Sequence, residues 1–80
     1  MSPTKADRTI DVRGQSCPYP LVTTSKNINT VPVGCVLEVL ATDPAAIQNI
    51  TRWAQRGGHQ MLEVVTEDDG HFRIFVRRGI

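Results

Sequence analysis

The stretch TIDVRGQSCPYPLVTTS, residues 9–25, carries a strand signal that gives way to a helix signal across one turn. Thr9 to Arg13 alternates, with Ile10 and Val12 on one side and Thr9 and Asp11 on the other, which is the period of a half-buried strand. From Pro18 to about Thr30 the period changes, and Leu21, Ser25 and Ile28 recur at helical spacing. Thr23, Thr24, Asn27 and Asn29 are indifferent helix formers, so packing rather than propensity must hold this helix. Between the two signals, Arg13, Gly14, Gln15 and Ser16 precede Cys17, and Pro18, Tyr19 and Pro20 follow it. A proline at the first helical position loses nothing, since its missing N–H would be unpaired there and its fixed φ already suits a helix. Cys17 is therefore read as the N-cap.

That placement makes Cys17 the chemically distinctive group of the chain. N–H groups of a first turn converge near an N-cap side chain, and the helix dipole adds partial positive charge, so both favour thiolate over thiol. A free cysteine titrates near pH ~8.5, and cysteines at helix N-termini lie lower. Arg13 adds positive potential. The alternative is a small apolar filler in a proline-punctuated loop, but a filler needs neither a helix terminus nor polar neighbours such as Gln15 and Ser16.

Outward from this turn, the punctuation gives a regular alternation. Pro32 and Gly34 break the chain before Cys35 to Thr42, a β-branched and apolar run of strand length. Asp43 followed by Pro44 is a cap and first-residue pair, and Ile47, Ile50 and Ala54 set one face of a second helix that Gly57 or Gly58 can end. Gln60 to Thr66 and Phe72 to Arg77 are two further strands, joined through Asp68, Asp69 and Gly70 as a hairpin. The order is βαβαββ. Right-handed crossovers running the same way put both helices on one face of the sheet, an α/β two-layer sandwich. Glu38, Glu63, Arg73 and Arg77 then fall on the open face, where opposite charges can pair across strands, and Leu40 and Phe75 share it as exposed apolar residues.

The same topology separates the thiols. Cys17 lies at the carboxyl end of the first strand, and Cys35 opens the second after a helix of about twelve residues, ~18 Å long. A disulfide needs α-carbons within about 7 Å, so Cys35 is read as structural. Sites in α/β sheets gather at carboxyl ends of strands, which again selects Cys17. His59 falls at the far end, and His71, on the Cys17 edge, stands roughly 10 Å away at normal strand spacing. No CxxC or HxxxH spacing occurs, so neither a metal nor another cofactor is expected. Trp53, Arg52 and Arg56 share the second helix as an indole beside a basic face.

Eighty residues make a single domain, read as 1–80 with an ordered core at about 8–78, of a size that buries only about 60% of its unfolded surface. Nine Lys and Arg against eight Asp and Glu leave a net charge of +1, too small to draw the chain to nucleic acid or a membrane. Met1 to Arg8 lacks the apolar core of a signal peptide and no run reaches membrane-spanning length, so a cytoplasmic, reducing setting with free thiols and a monomeric protein are expected.

The run Asp11, Val12, Arg13, Gly14, Gln15, Ser16, Cys17, Pro18, Tyr19 and Pro20, followed by Lys26, Gly34, Asp43 with Pro44, and Gly58 with His59, resembles the TusA/SirA family of small sulfur-carrier proteins. The resemblance covers about Thr9 to Arg78 and centres on the Cys-Pro-x-Pro motif. It implies a βαβαββ sandwich like the carboxyl-terminal domain of translation initiation factor 3, with strand order 1-2-4-3 and strand 4 antiparallel. It further implies that Cys17 accepts sulfane sulfur as a persulfide, a carrier-type sulfurtransferase, with Arg13, Gly14, Pro18 and Pro20 in support. The implied partners are a donor, either a cysteine desulfurase or a rhodanese, and a DsrE-like or other relay acceptor. The implied destinations are tRNA thiolation, molybdenum cofactor synthesis or sulfur oxidation. Gln15 and Ser16 stand where members often carry a more apolar residue, which bears on which partner docks. Two other readings stay open: a thiol redox or regulatory module, which needs a resolving thiol near Cys17, and an RNA- or protein-binding module without thiol chemistry, which needs a basic aromatic face.

Overall fold

Hydrophobic alternation and two proline-marked helix starts resolve into β1 (Arg8–Asp11), α1 (Tyr19–Asn27), β2 (Val36–Ala41), α2 (Pro44–Arg56), β3 (Gln60–Thr66) and β4 (Phe72–Arg77). The computed structural model describes residues 5–16 and 18–80. The strands form one sheet in the order β1-β2-β4-β3. β1 runs parallel to β2, and β4 is antiparallel to both β2 and β3. The order and the antiparallel fourth strand agree with the expectation drawn from the family resemblance.

Both helices cover one face. Leu37, Val39 and Ala41 of β2 and Ile74 and Val76 of β4 point to that side, where they enclose a core with Ile28, Ala46, Ile50 and Ala54. The helix α2 begins where the sequence places it: the Asp43 carboxylate accepts the Ala45 N–H at 3.0 Å, Pro44 opens the helix, and Gly57 is its C-cap. Strands β3 and β4 also keep their expected bounds, although register shifts between Met61 and Glu63 mark a bulge in β3.

The helix α1 departs from expectation at both ends. Its last turn tightens to a 3-10 turn over Ile28–Thr30, where the Thr30 hydroxyl donates to the Asn27 carbonyl at 2.6 Å. Its N-cap is Pro18 rather than Cys17, with Tyr19 as the first helical residue and Pro20 the second. The buried stripe is likewise Pro20, Thr24 and Ile28 rather than Leu21, Ser25 and Ile28. Thr24 is tolerated at zero exposure because its hydroxyl donates to the Pro20 carbonyl one turn back, at 2.7 Å.

The opposite face of the sheet is less open than its charges suggest. Phe75, expected to be exposed, is fully buried, and Glu38 beside it is 7% exposed. In the register Phe75 stands between Glu38 of β2 and Glu63 of β3, and the Arg73 guanidinium lies 5.3 Å from its ring centroid. One Glu38 oxygen accepts from the Thr9 hydroxyl at 2.8 Å and the other from Arg73 Nε at 2.5 Å. A carboxylate, a guanidinium and a ring thus cover one another, with cation–π attraction of about 0.5–2 kcal/mol added to the burial of the ring. Sequence alternation identifies the face but not this mutual cover, which depends on pairing across β1, β2 and β4.

Removing Glu38 takes away the nearer of the two carboxylates paired with Arg73, leaving Glu67 at 3.9 Å. Glu38→Ala is expected to lower stability by about 2–3 kcal/mol in urea unfolding, less than a fully buried pair because Arg73 keeps solvent access. Glu38→Gln, whose one amide oxygen still accepts from Arg73 while its NH2 can donate to the Thr9 hydroxyl, is expected to lose about 1 kcal/mol; equal losses in the two variants would contradict the pairing.

Candidate functional site

Cys17, on which the sequence reading turns, lies outside the described residues, but the chain on either side of it is well defined. Val12 and Pro20 are both fully buried, and every described residue between them is exposed. The segment is a loop pinned into the core at both ends. Val12 donates its N–H to the Leu40 carbonyl at 2.8 Å, continuing the β1–β2 pairing past the strand end. Pro20 plugs into the core from the first turn of α1, while Pro18 stays at the surface.

The loop is shaped before it reaches residue 17. Gln15 donates to the Val12 carbonyl at 3.2 Å, closing a turn in which Gly14 has φ of +81°. That conformation at the third position is what a type II turn requires, and an L side chain there costs about 1–2 kcal/mol. The Gly14 N–H is tethered across the edge to the Thr42 hydroxyl at 2.9 Å. Thr42 therefore belongs to the site although it stands 28 residues away. No local pattern in the sequence singles it out.

Arg13 is committed to Asp11. One Asp11 oxygen accepts the Arg13 backbone N–H at 3.0 Å and Nε at 2.9 Å, and the other accepts the guanidinium Nη2 at 2.8 Å. The Arg13 side-chain hydrogen bond is the main cause that lowers the Asp11 carboxyl to about 2, and Asp11 in turn raises Arg13. The pair staples the start of the loop, and much of the positive potential expected from Arg13 is met by this carboxylate.

On the helical side, Tyr19 donates to the Ser16 carbonyl at 3.0 Å and Val22 to the Pro18 carbonyl at 3.1 Å. Prolines at 18 and 20 carry no N–H, and the Tyr19 N–H is spent on Ser16, so the first turn offers fewer donors than its position suggests. The dipole of the nine-residue helix remains. Tyr19 is 64% exposed and Val22 is exposed one turn on, an apolar strip beside the loop that sequence periodicity does not distinguish.

The remaining expected groups separate cleanly. Cys35 is half-buried before β2, its N–H donating to Pro32 and its carbonyl accepting from Arg78 at 2.9 Å, so it lies at the amino end of that strand. His71 belongs to the loop's edge: its Nδ1 is hydrogen-bonded to Asp69, which also accepts its backbone N–H at 3.0 Å. His59 sits at the far end against Trp53, accepting the Gly79 N–H at 3.1 Å, and burial first, then Arg78, lowers its pKa. Among the described residues, no group of His, Cys, Asp and Glu is arranged to hold a metal ion, and no helix is long and apolar enough to cross a membrane.

Comparisons with known proteins place this geometry. The family described as Sulfurtransferase TusA matches residues 8–78. The putative sulfur carrier protein YrkI of Bacillus subtilis is 43% identical over 75 residues, covering 94% of this chain and 99% of that protein. The sulfur carrier protein TusA of Allochromatium vinosum is 31% identical over 73 residues, covering 91% and 95%. A crystal structure of a SirA-like protein from Desulfitobacterium hafniense superposes with a TM-score of 0.80 at 28% identity, covering 91% of this chain and 99% of that one.

The Asp11–Arg13 staple has a pH signature. Because the folded pKa is lowered, its contribution is complete above the ordinary carboxylate range near 3.8 and is lost as pH falls through about 2. A carboxyl-carbon NMR titration is expected to show an Asp11 midpoint near 2 in the wild type and one moved up toward the ordinary range in Arg13→Gln. An unchanged midpoint in the variant would contradict the assignment.

Proposed function

The chain belongs to the TusA sulfurtransferase family, whose relatives are sulfur carriers, and from that premise we propose that Cys17 is the residue that carries the sulfur. The observation that best supports this is the exposed loop between two fully buried anchors, Val12 and Pro20, with residue 17 between exposed Ser16 and exposed Pro18. A carrier must present one thiol to two different proteins in turn, and a loop stiffened by its turn, staple and tether does so without loss of order at each docking.

In the proposed step, the Cys17 thiolate attacks the outer sulfur of a donor persulfide, R–S–SH. A new S–S bond forms at Cys17, the donor S–S bond breaks, and its electron pair leaves with R–S⁻. The products are Cys17–S–SH and donor thiolate, with the transferred sulfur keeping its proton and no external oxidant or reductant consumed. Delivery repeats the exchange with the next thiol. Gly14 and Thr42 shape the approach, Arg13 holds the loop start through Asp11, and Pro18 and Pro20 set the direction in which the chain enters α1. The donors and acceptors that fit are a persulfide-bearing cysteine desulfurase or rhodanese and a DsrE-like relay protein, in a single cytoplasmic carrier domain of about residues 8–78. The redox alternative lacks support from Cys35, which is bonded into the amino end of β2 beside Arg78.

Incubating the reduced protein with thiosulfate and a rhodanese, then recording intact mass, tests the assignment. The wild type and Cys35→Ser are expected to gain one reducible sulfur, and Cys17→Ser none. Loading of Cys17→Ser at the wild-type level would end the proposal.

A further inference from the structure

The charges of this nearly neutral chain are unevenly placed. The chain has eight acids, yet Tyr19–Asn27, Ile28–Thr30 and Pro44–Arg56 contain none, while they carry Lys26, Arg52 and Arg56. The helical layer is therefore cationic, and the acids lie in the strands, turns and terminal segment. Between the two helices runs a groove of about 440 Å³ lined by Leu21, Asn49, Arg52, Trp53, Arg56 and Gly57. Leu21 and Trp53 are half-buried and apolar, whereas Arg52 and Arg56 are exposed and form no ion pair among the described residues. The two arginines are one helical turn apart, about 6 Å along the axis.

We infer that this groove is the docking site for an acidic amphipathic segment of a protein that exchanges sulfur with the carrier, a pair of carboxylates meeting Arg52 and Arg56 while an apolar side chain packs on Leu21 and Trp53. The inference rests on the carrier reading above and adds the chemistry of the partner. Leu21 lies in the first turn of α1, four residues beyond Cys17, so a segment seated here brings its protein to the loop. Arginine and tryptophan are the residue types that dominate protein–protein contact energies, and carboxylates spaced one turn apart on a helix match the arginine spacing. Nucleic acid fits less well. The Trp53 indole is half-buried and already packed on His59, with ring centroids 5.0 Å apart, so it does not offer a free face for base stacking.

Trp53 is the single tryptophan of the chain, so its fluorescence reports the groove directly. The probe is an amphipathic helical peptide with Glu at i and i+4 beside Leu at i+3 and i+7, run against the same peptide with Lys for Glu and against a single-stranded oligonucleotide. A saturable change with the acidic peptide is expected, weakening as salt rises. Arg52→Glu with Arg56→Glu is expected to weaken it by about tenfold or more and to bind the lysine peptide instead, which also shows that the variant is folded. No response, equal response to both peptides, or tighter binding of the oligonucleotide would overturn the inference. Loading of wild-type Cys17 by a small polysulfide, read by intact mass, needs no protein docking. Intact loading without peptide binding therefore rejects the groove alone, and lost loading rejects the carrier reading alone.

Discussion

Parallel pairing of β1 with β2 is the constraint from which the arrangement of this protein follows. Parallel strands cannot be joined by a tight turn, so after Asp11 the chain must cross the sheet and return to its starting end before Val36. The crossover is α1, and its entry has to be built at the carboxyl end of β1. That obligation puts Arg13 to Pro20 on the edge of the sheet, outside the ladder, with Val12 and Pro20 buried as the points where the segment leaves and rejoins the core. The same edge receives Thr42 from the end of β2 and the Asp69–His71 turn ahead of β4.

Much of this was legible in the sequence because the local signals were strong. Asp43–Pro44 marks the start of α2 chemically as well as statistically, and alternation in Gln60–Thr66 and Phe72–Arg77 has the strand period. The helix α1 was harder. Two prolines two residues apart compete for the first helical position, and Pro18 takes the cap because its carbonyl receives the first helical bond, from Val22. The burial of Thr24 in place of Ser25 depends on a back-bond to Pro20, and the cover over Phe75 depends on Thr9, Glu38 and Arg73 from three strands. Such features rest on long-range pairing and leave no local periodicity. Thr42 belongs to the same class: its hydroxyl becomes a tether only once β1 and β2 are side by side.

The electrostatics of the site are more evenly balanced than a thiol beside an arginine at a helix start suggests. Arg13 is matched by Asp11, and the proline pair removes backbone donors from the first turn. What the loop supplies is order: a turn that needs glycine at residue 14, a bidentate staple, a tether and a buried proline. For a carrier this is a coherent division of labour. In the proposed reading the described parts of the loop supply order on both sides of residue 17, so that exchange with a partner thiol does not also have to order the chain.

A carrier must release what it holds, and cyanolysis of the loaded protein tests that directly. Cyanide attacks the outer sulfur of a persulfide, forms thiocyanate and returns the thiolate, so the yield counts sulfur that is both bound and open to a nucleophile. Stoichiometric thiocyanate is expected from loaded wild type and from Cys35→Ser, and only background from Cys17→Ser. Equal yields from wild type and Cys17→Ser, or a loaded wild type inert to cyanide, would contradict that expectation.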